Sequence, residues 1–180
     1  MSMVRRLHQS GITVAHSFDI RERISFYEKL CRSHGALLFE DYEEVKGWMD
    51  WLMDTLDSME RPKCLCHIDA NVDNFLFFED GSVKLLDWEY AGMCDPVMDV
   101  SMCAIYSYYK EEDMERLFRL YLRREPSEDE LFALYANAAL GGFLWCLWAV
   151  YKSILGDEFG EYTIIMYRYA KKYYRKLRKL

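Results

Sequence analysis

Ile20, Ile24, Tyr27 and Leu30 recur at the three-to-four-residue spacing of a single helix face. Asp19 with Glu22 has the form of a capping box and Gly35 that of a stop, so the spacing predicts a helix between them. Tyr42, Val45, Met49, Leu52 and Leu56 form a second stripe, from about Asp41 to Ser58. Asp95 followed by Pro96 resembles an N-cap with proline in the first helical position, opening a third helix to about Tyr109. Glu111–Glu125 reads as a fourth, stopped by Pro126. Ser127 with Glu130 is another capping box, before a long helix through Leu131, Leu134, Tyr135 and Ala138 to about Leu155. A last helix spans roughly Glu161–Leu177. The period changes only in the middle, where the apolar runs Phe75–Phe78 and Val83–Leu86 flank Glu79-Asp80-Gly81-Ser82, a hairpin signal. Residues 1–17 show no clear periodicity. The pattern predicts a mainly α protein with one small β-hairpin, residues 1–180 forming a single domain.

Composition adds a substantial core: 52% of residues are hydrophobic and 16% aromatic, while three prolines and nine glycines leave little room for linkers. The six cysteines include no C-x-x-C pair and read as reduced core residues of a cytoplasmic protein. Cys64, Cys66, His67 and Cys94 lack zinc-finger spacing, which favours packing over a metal cluster. No apolar stretch follows the basic N-terminal residues, so no signal peptide is expected. The longest apolar run, Ala138–Tyr151, falls short of the ~20 residues that cross a bilayer, so no transmembrane segment is expected either.

Net charge is −7, yet residues 161–180 carry seven Lys or Arg and one acid. A basic closing helix suits a solvated face, or contact with an anionic surface. The acidic remainder argues against nucleic acid as a partner and suits a cationic substrate.

The chemistry concentrates between Cys64 and Gly92. His67, Asp69 and Asn74 give H-x-D-x-x-x-x-N, and the hairpin returns to a further acid, Asp87. Phosphoryl transfer asks a protein mainly for alignment and charge neutralisation. A carboxylate orients the acceptor hydroxyl, and an amide oxygen with a second carboxylate holds magnesium. That assigns Asp69 as base and Asn74 and Asp87 as metal and cofactor ligands. The plainer alternative is that all three are turn residues bonded to local backbone.

The loop, LLDWEYAG and the following DPVMD resemble the C-terminal catalytic half of the choline/ethanolamine kinase family, especially its bacterial lipopolysaccharide-type choline kinases, within the aminoglycoside-phosphotransferase-like kinase fold. The likeness covers nearly the whole chain. It implies the large C-terminal lobe of a protein-kinase-like fold, ATP and Mg2+ as cofactors, Asp69 as the catalytic aspartate, and His67 and Asp99 as braces of the loop. Asp99 also suits the first turn of its predicted helix, where an acid meets the helix dipole favourably.

Trp145 and Trp148 are three apart on a predicted helix and share a face. Aromatic faces hold a quaternary ammonium by cation–π attraction, so this pair, with Tyr90 and Glu89, would make a choline cage; otherwise the rings simply pack. The resemblance supports the cage, since choline kinases carry a W-x-x-W pair of this kind. Tyr106, Tyr108, Tyr109, Tyr162 and Tyr167 are weaker candidates.

Neither G-x-G-x-x-G nor G-x-x-x-x-G-K occurs, and no β-rich stretch precedes residue 64. The expectation is a kinase lobe without its N-terminal partner, weak or inactive alone, to be completed by that lobe in trans or paired as a homodimer. Its activity would be phosphotransfer to choline or ethanolamine. An aminoglycoside or small-alcohol phosphotransferase, or a non-catalytic choline- or partner-binding remnant, are the alternatives.

Overall fold

The computed structural model describes residues 1–36 and 39–179. Their elements run α1 (Ser2–His8), α2 (Ile20–Ser33), α3 (Tyr42–Asp57), β1 (Cys64–Cys66), β2 (Phe75–Phe77), β3 (Val83–Leu85), β4 (Gly92–Cys94), α4 (Val97–Tyr106), α5 (Glu111–Leu122), α6 (Glu128–Ile154) and α7 (Tyr162–Leu177). They form two compact units, each built from two stretches of chain: residues 1–18 with 61–137, and residues 19–60 with 138–180.

The first unit holds both ribbons. β2 pairs antiparallel with β3, Phe75 opposite Leu85 and Phe77 opposite Val83, which is the expected hairpin. Gly81 takes φ +77° at its tip, a conformation that costs glycine little. The second ribbon was not expected: β1 pairs with β4, Cys64 opposite Cys94 and Cys66 opposite Gly92. Both strands are only three residues long, too short to carry a periodic signal. Ser17 bridges to Met93 alongside, with Phe18 N–H donating to the Met93 carbonyl at 3.1 Å. That approach explains Gly92, because a Cβ there would lie 2.7 Å from Phe18 N and 3.0 Å from the Ser17 carbonyl carbon.

Helix α1 was also unexpected. Seven residues are too few to display a stripe, and tertiary contacts hold this helix: Val4 is buried with Ala70 and Cys103, and Arg5 donates to the Tyr121 carbonyl. Helix α4 begins one residue later than predicted, yet Asp95 still accepts the Val97 N–H at 2.9 Å and receives Arg61 at 2.7 Å. Helix α5 ends at Leu122, three residues early, with Arg123 in the left-handed region. Asp19 caps α2 by accepting from the N–H groups of Arg21 and Glu22, with no return bond from the Glu22 side chain among the described residues, while the Ser127–Glu130 box closes reciprocally at 2.9 and 3.2 Å.

Helix α6 runs without a break from the first unit into the second and is buried continuously from residue 133 to 147. At 27 residues it is long and apolar enough to cross a membrane, although the longest uninterrupted apolar run in the sequence is shorter. Its most apolar window is 83% buried within the protein, as in a core helix.

In the second unit α2, α3 and α7 pack with the C-terminal part of α6. The Cys31 thiol donates to the Leu147 carbonyl at 3.3 Å, and burial pushes that thiol up to about 11. The basic residues of α7 are partly engaged: Lys171 pairs with Asp41, and Arg175 and Arg178 lie over the rings of Trp48 and Trp51.

Candidate active site

The loop after β1 is built on alternating burial. Ile68 and Ala70 are fully buried and anchor it, leaving Asp69 between them half-buried. Ile68 has φ +72°, a costly conformation for a β-branched residue. Asp99 holds that strained backbone in place. Wholly buried at the start of α4, it accepts the His67 N–H at 2.8 Å on one carboxylate oxygen and the Ile68 N–H at 2.6 Å on the other.

Asn74 closes the loop. Its Nδ2 donates to both the carbonyl and the carboxylate of Asp69, each at 2.9 Å. Both partners are acceptors, so the amide nitrogen must face them, and Oδ1 faces away. The hairpin then returns the chain: Leu86 N–H donates to the Asn74 carbonyl at 2.9 Å, which brings Asp87 next in line. Asp87 is exposed, at φ +60°, and its carboxylate has no hydrogen-bond or ion-pair partner among the described residues.

His67 ties the two halves together. Its buried ring donates Nε2–H to the Leu86 carbonyl at 2.7 Å and meets the Trp88 ring edge-on at 4.7 Å. Trp88 itself donates to the Leu85 carbonyl at 3.0 Å. One loop residue is thus bonded to the residue before Asp87. Glu89 is exposed and Tyr90 half-buried, two and three residues further on.

The outward Asn74 amide oxygen and the exposed Asp87 carboxylate are both oxygen donors, of the kind that suits a hard cation such as magnesium. No thiol or imidazole belongs to that pair.

His8 carries no signal in the sequence. Its side chain is 3% exposed; Nε2 donates to Asp99 at 3.0 Å, and Nδ1 meets the Tyr121 hydroxyl at 2.8 Å. His8 therefore stands behind Asp99 as Asp99 stands behind the loop. Beside it, the Cys66–Cys64 hydrogen bond holds the Cys64 thiol below its ordinary range and drives that of Cys66 well above. Burial, with these sulfurs near, raises the Tyr121 phenol.

Trp145 and Trp148 belong to the second unit. Trp145 is buried and Trp148 half-buried; their rings meet edge-to-face at 5.9 Å, and Phe159 packs on Trp148 at 5.0 Å. Tyr162 lies beside Phe159 at 6.2 Å.

Residues 2–132 match APH, the phosphotransferase enzyme family. The chain belongs to that family. The match takes in His8, His67, Asp69, Asn74, Asp87 and Asp99, and stops short of Trp145 and Trp148. Protein LicA of Haemophilus influenzae is 25% identical over 168 residues, covering 88% of this chain and 48% of the relative. Ethanolamine kinase 1 of Mus musculus is 26% identical over 151 residues, covering 68% of this chain and 42% of the relative. Among solved structures, choline kinase LicA from Streptococcus pneumoniae superposes with a TM-score of 0.83 at 26% identity, over 97% of this chain and 61% of that one. A choline/ethanolamine kinase family protein from Mesorhizobium loti, at 24% identity and TM-score 0.78 over 98% of this chain and 59% of that one, shares the fold. The chain spans about half the length of the curated relatives it matches, corresponding to their C-terminal part. Mostly helical with small antiparallel sheets, it is a partial kinase-like fold.

Proposed function

We propose that this chain carries the acceptor-activating and metal-binding residues of an ATP-dependent phosphotransferase whose acceptor is the hydroxyl of choline or ethanolamine. The observation that carries the reading is the linked trio: Asn74 bonded to Asp69, with Asp87 delivered beside Asn74 by the hairpin. Asp69 orients the acceptor hydroxyl and takes its proton. The Asn74 Nδ2 fixes the Asp69 carboxylate, leaving Oδ1, together with Asp87, to hold magnesium. Magnesium, when bound, neutralises charge on the nucleotide phosphates. His67 and Asp99 keep the loop and the hairpin end in register.

The acceptor assignment rests on Trp148, which is half-buried and flanked by Trp145 and Phe159. A trimethylammonium group offers no hydrogen-bond donors, and aromatic faces are its natural partners. The relatives named as choline and ethanolamine kinases agree with such an acceptor. Tyr90 and Glu89 are the substrate-contacting candidates beside Asp87.

Calorimetric titration of the chain separates the parts. Magnesium-dependent ATP binding that disappears in Asp87→Ala supports the phosphotransfer reading. Choline binding that exceeds ethanolamine and kanamycin and is lost in Trp148→Ala supports the acceptor. Choline binding without nucleotide binding would instead favour a non-catalytic choline-binding module, and kanamycin binding alone an aminoglycoside acceptor.

A further inference from the structure

We propose that His8, Cys64 and Cys66 form a binding site for a thiophilic metal ion, with zinc as its representative, at the root of the catalytic loop. Cys64 and Cys66 are alternate residues of β1 and so project from one face of the ribbon. Their sulfurs are 3.9 Å apart. That is too far for a disulfide, whose sulfurs sit about 2.05 Å apart. It is close to the edge of a thiolate tetrahedron, since Zn–S bonds of about 2.3 Å place two sulfurs about 3.8 Å apart. A ring nitrogen of His8 completes a set of three ligand atoms all within 4.8 Å of one another. The zinc-finger spacing absent from the sequence is replaced by a contact between α1 and β1.

The surroundings fit a ligand set better than they fit inert packing. A metal-bound histidine ordinarily passes its other N–H to a carboxylate, which fixes the tautomer. Asp99 already accepts Nε2–H from His8 at 3.0 Å, leaving Nδ1 as the ligating atom. The Tyr121 hydroxyl now bonded to Nδ1 at 2.8 Å gives up that bond when the ion binds. Charge balances as well, because two thiolates cancel a divalent ion and the buried site stays neutral beside Asp99. The thiolate and imidazole donors also keep this site distinct from the oxygen donors Asn74 and Asp87, which a hard ion prefers. On binding, each thiol releases its proton to solvent as its sulfur bonds the ion, and no redox change occurs.

Titration of the reduced, metal-free chain with cobalt(II) tests the site independently of any phosphotransfer. One equivalent should bind with thiolate-to-cobalt charge-transfer absorption and be displaced by zinc. Cys64→Ser should weaken zinc binding about a hundredfold, and His8→Asn about tenfold or more. Absence of the thiolate band, or its persistence in the Cys64→Ser/Cys66→Ser double variant, overturns the proposal. If those variants prove unfolded by circular dichroism, alkylation of wild-type Cys64 decides. Zinc should slow it at least tenfold and magnesium leave it unchanged; equal rates with and without zinc overturn the site.

Discussion

His8 donates its Nε2–H to Asp99, and the same carboxylate receives the backbone N–H groups of His67 and Ile68. The imidazole is thus the outer member of a relay of contacts ending at a strained residue next to Asp69. Replacing it by phenylalanine leaves a buried carboxylate short of one donor, at a cost of about 1–3 kcal/mol. The expected result is faster hydrogen exchange at the His67 and Ile68 amides, by about tenfold or more, with little change at amides of α7. Exchange rates at the two loop amides equal to wild type would refute the link.

Asp99→Ala is expected to be more damaging, because it strands two buried N–H groups as well as His8. A loss of roughly 2–5 kcal/mol in urea unfolding is anticipated. Asp99→Asn keeps one acceptor oxygen and should fall between this variant and wild type.

Asp69→Asn separates catalysis from binding. Asn74 already fixes the side chain at position 69, so the loop should keep its shape, and magnesium-dependent ATP affinity should stay within about twofold. Turnover of the full enzyme containing this chain should drop about 10²–10⁴-fold, as expected for loss of a general base. A drop in nucleotide affinity equal to the drop in turnover would assign Asp69 to metal binding instead.

Gly92→Ala should destabilise the chain by about 1–3 kcal/mol, since the new methyl group meets backbone atoms of residues 17 and 18 rather than a side chain that can swing away. Its urea midpoint, compared with that of the exposed Gly47→Ala, measures the effect.

Glu130 supplies a pH dependence. The Arg124 guanidinium, its largest influence, holds the Glu130 carboxyl down at about 2, below the ~4.3 of an unfolded chain. Its contribution is therefore fully present above about pH 4.3 and is lost as pH falls through about 2. Glu130→Gln, which can still close the Ser127 box, should cost up to about 1 kcal/mol at neutral pH and flatten the acid limb of the stability curve. An unchanged acid limb would show that the pair contributes nothing.

What could be read in the sequence was local. The Ser127–Glu130 box, the Asp19 cap and the hairpin around Gly81 each depend on residues within a few positions of one another, and each forms as expected. His67, Asp69, Asn74 and Asp87 come together for the same reason, through one loop and one hairpin. Contacts between distant short pieces could not be read. Three-residue strands such as β1 and β4 show no alternation, and His8 meets Asp99 across 91 positions of chain. A lone histidine in a seven-residue helix carries no signal until its partner is visible.

The interleaving of the two units constrains the order in which this protein can be made. The first lacks its last stretch until residue 137 has left the ribosome, and the second until the end of α7 has followed. Helices α2 and α3 are therefore synthesised well before the stretch that completes their unit, and must wait with their apolar faces uncovered. Neither unit can be excised as one uninterrupted segment. A nascent chain halted once residue 137 has emerged should present those two helices to a chaperone or protease, while the loop carrying Asp69 already has every neighbour its own unit provides.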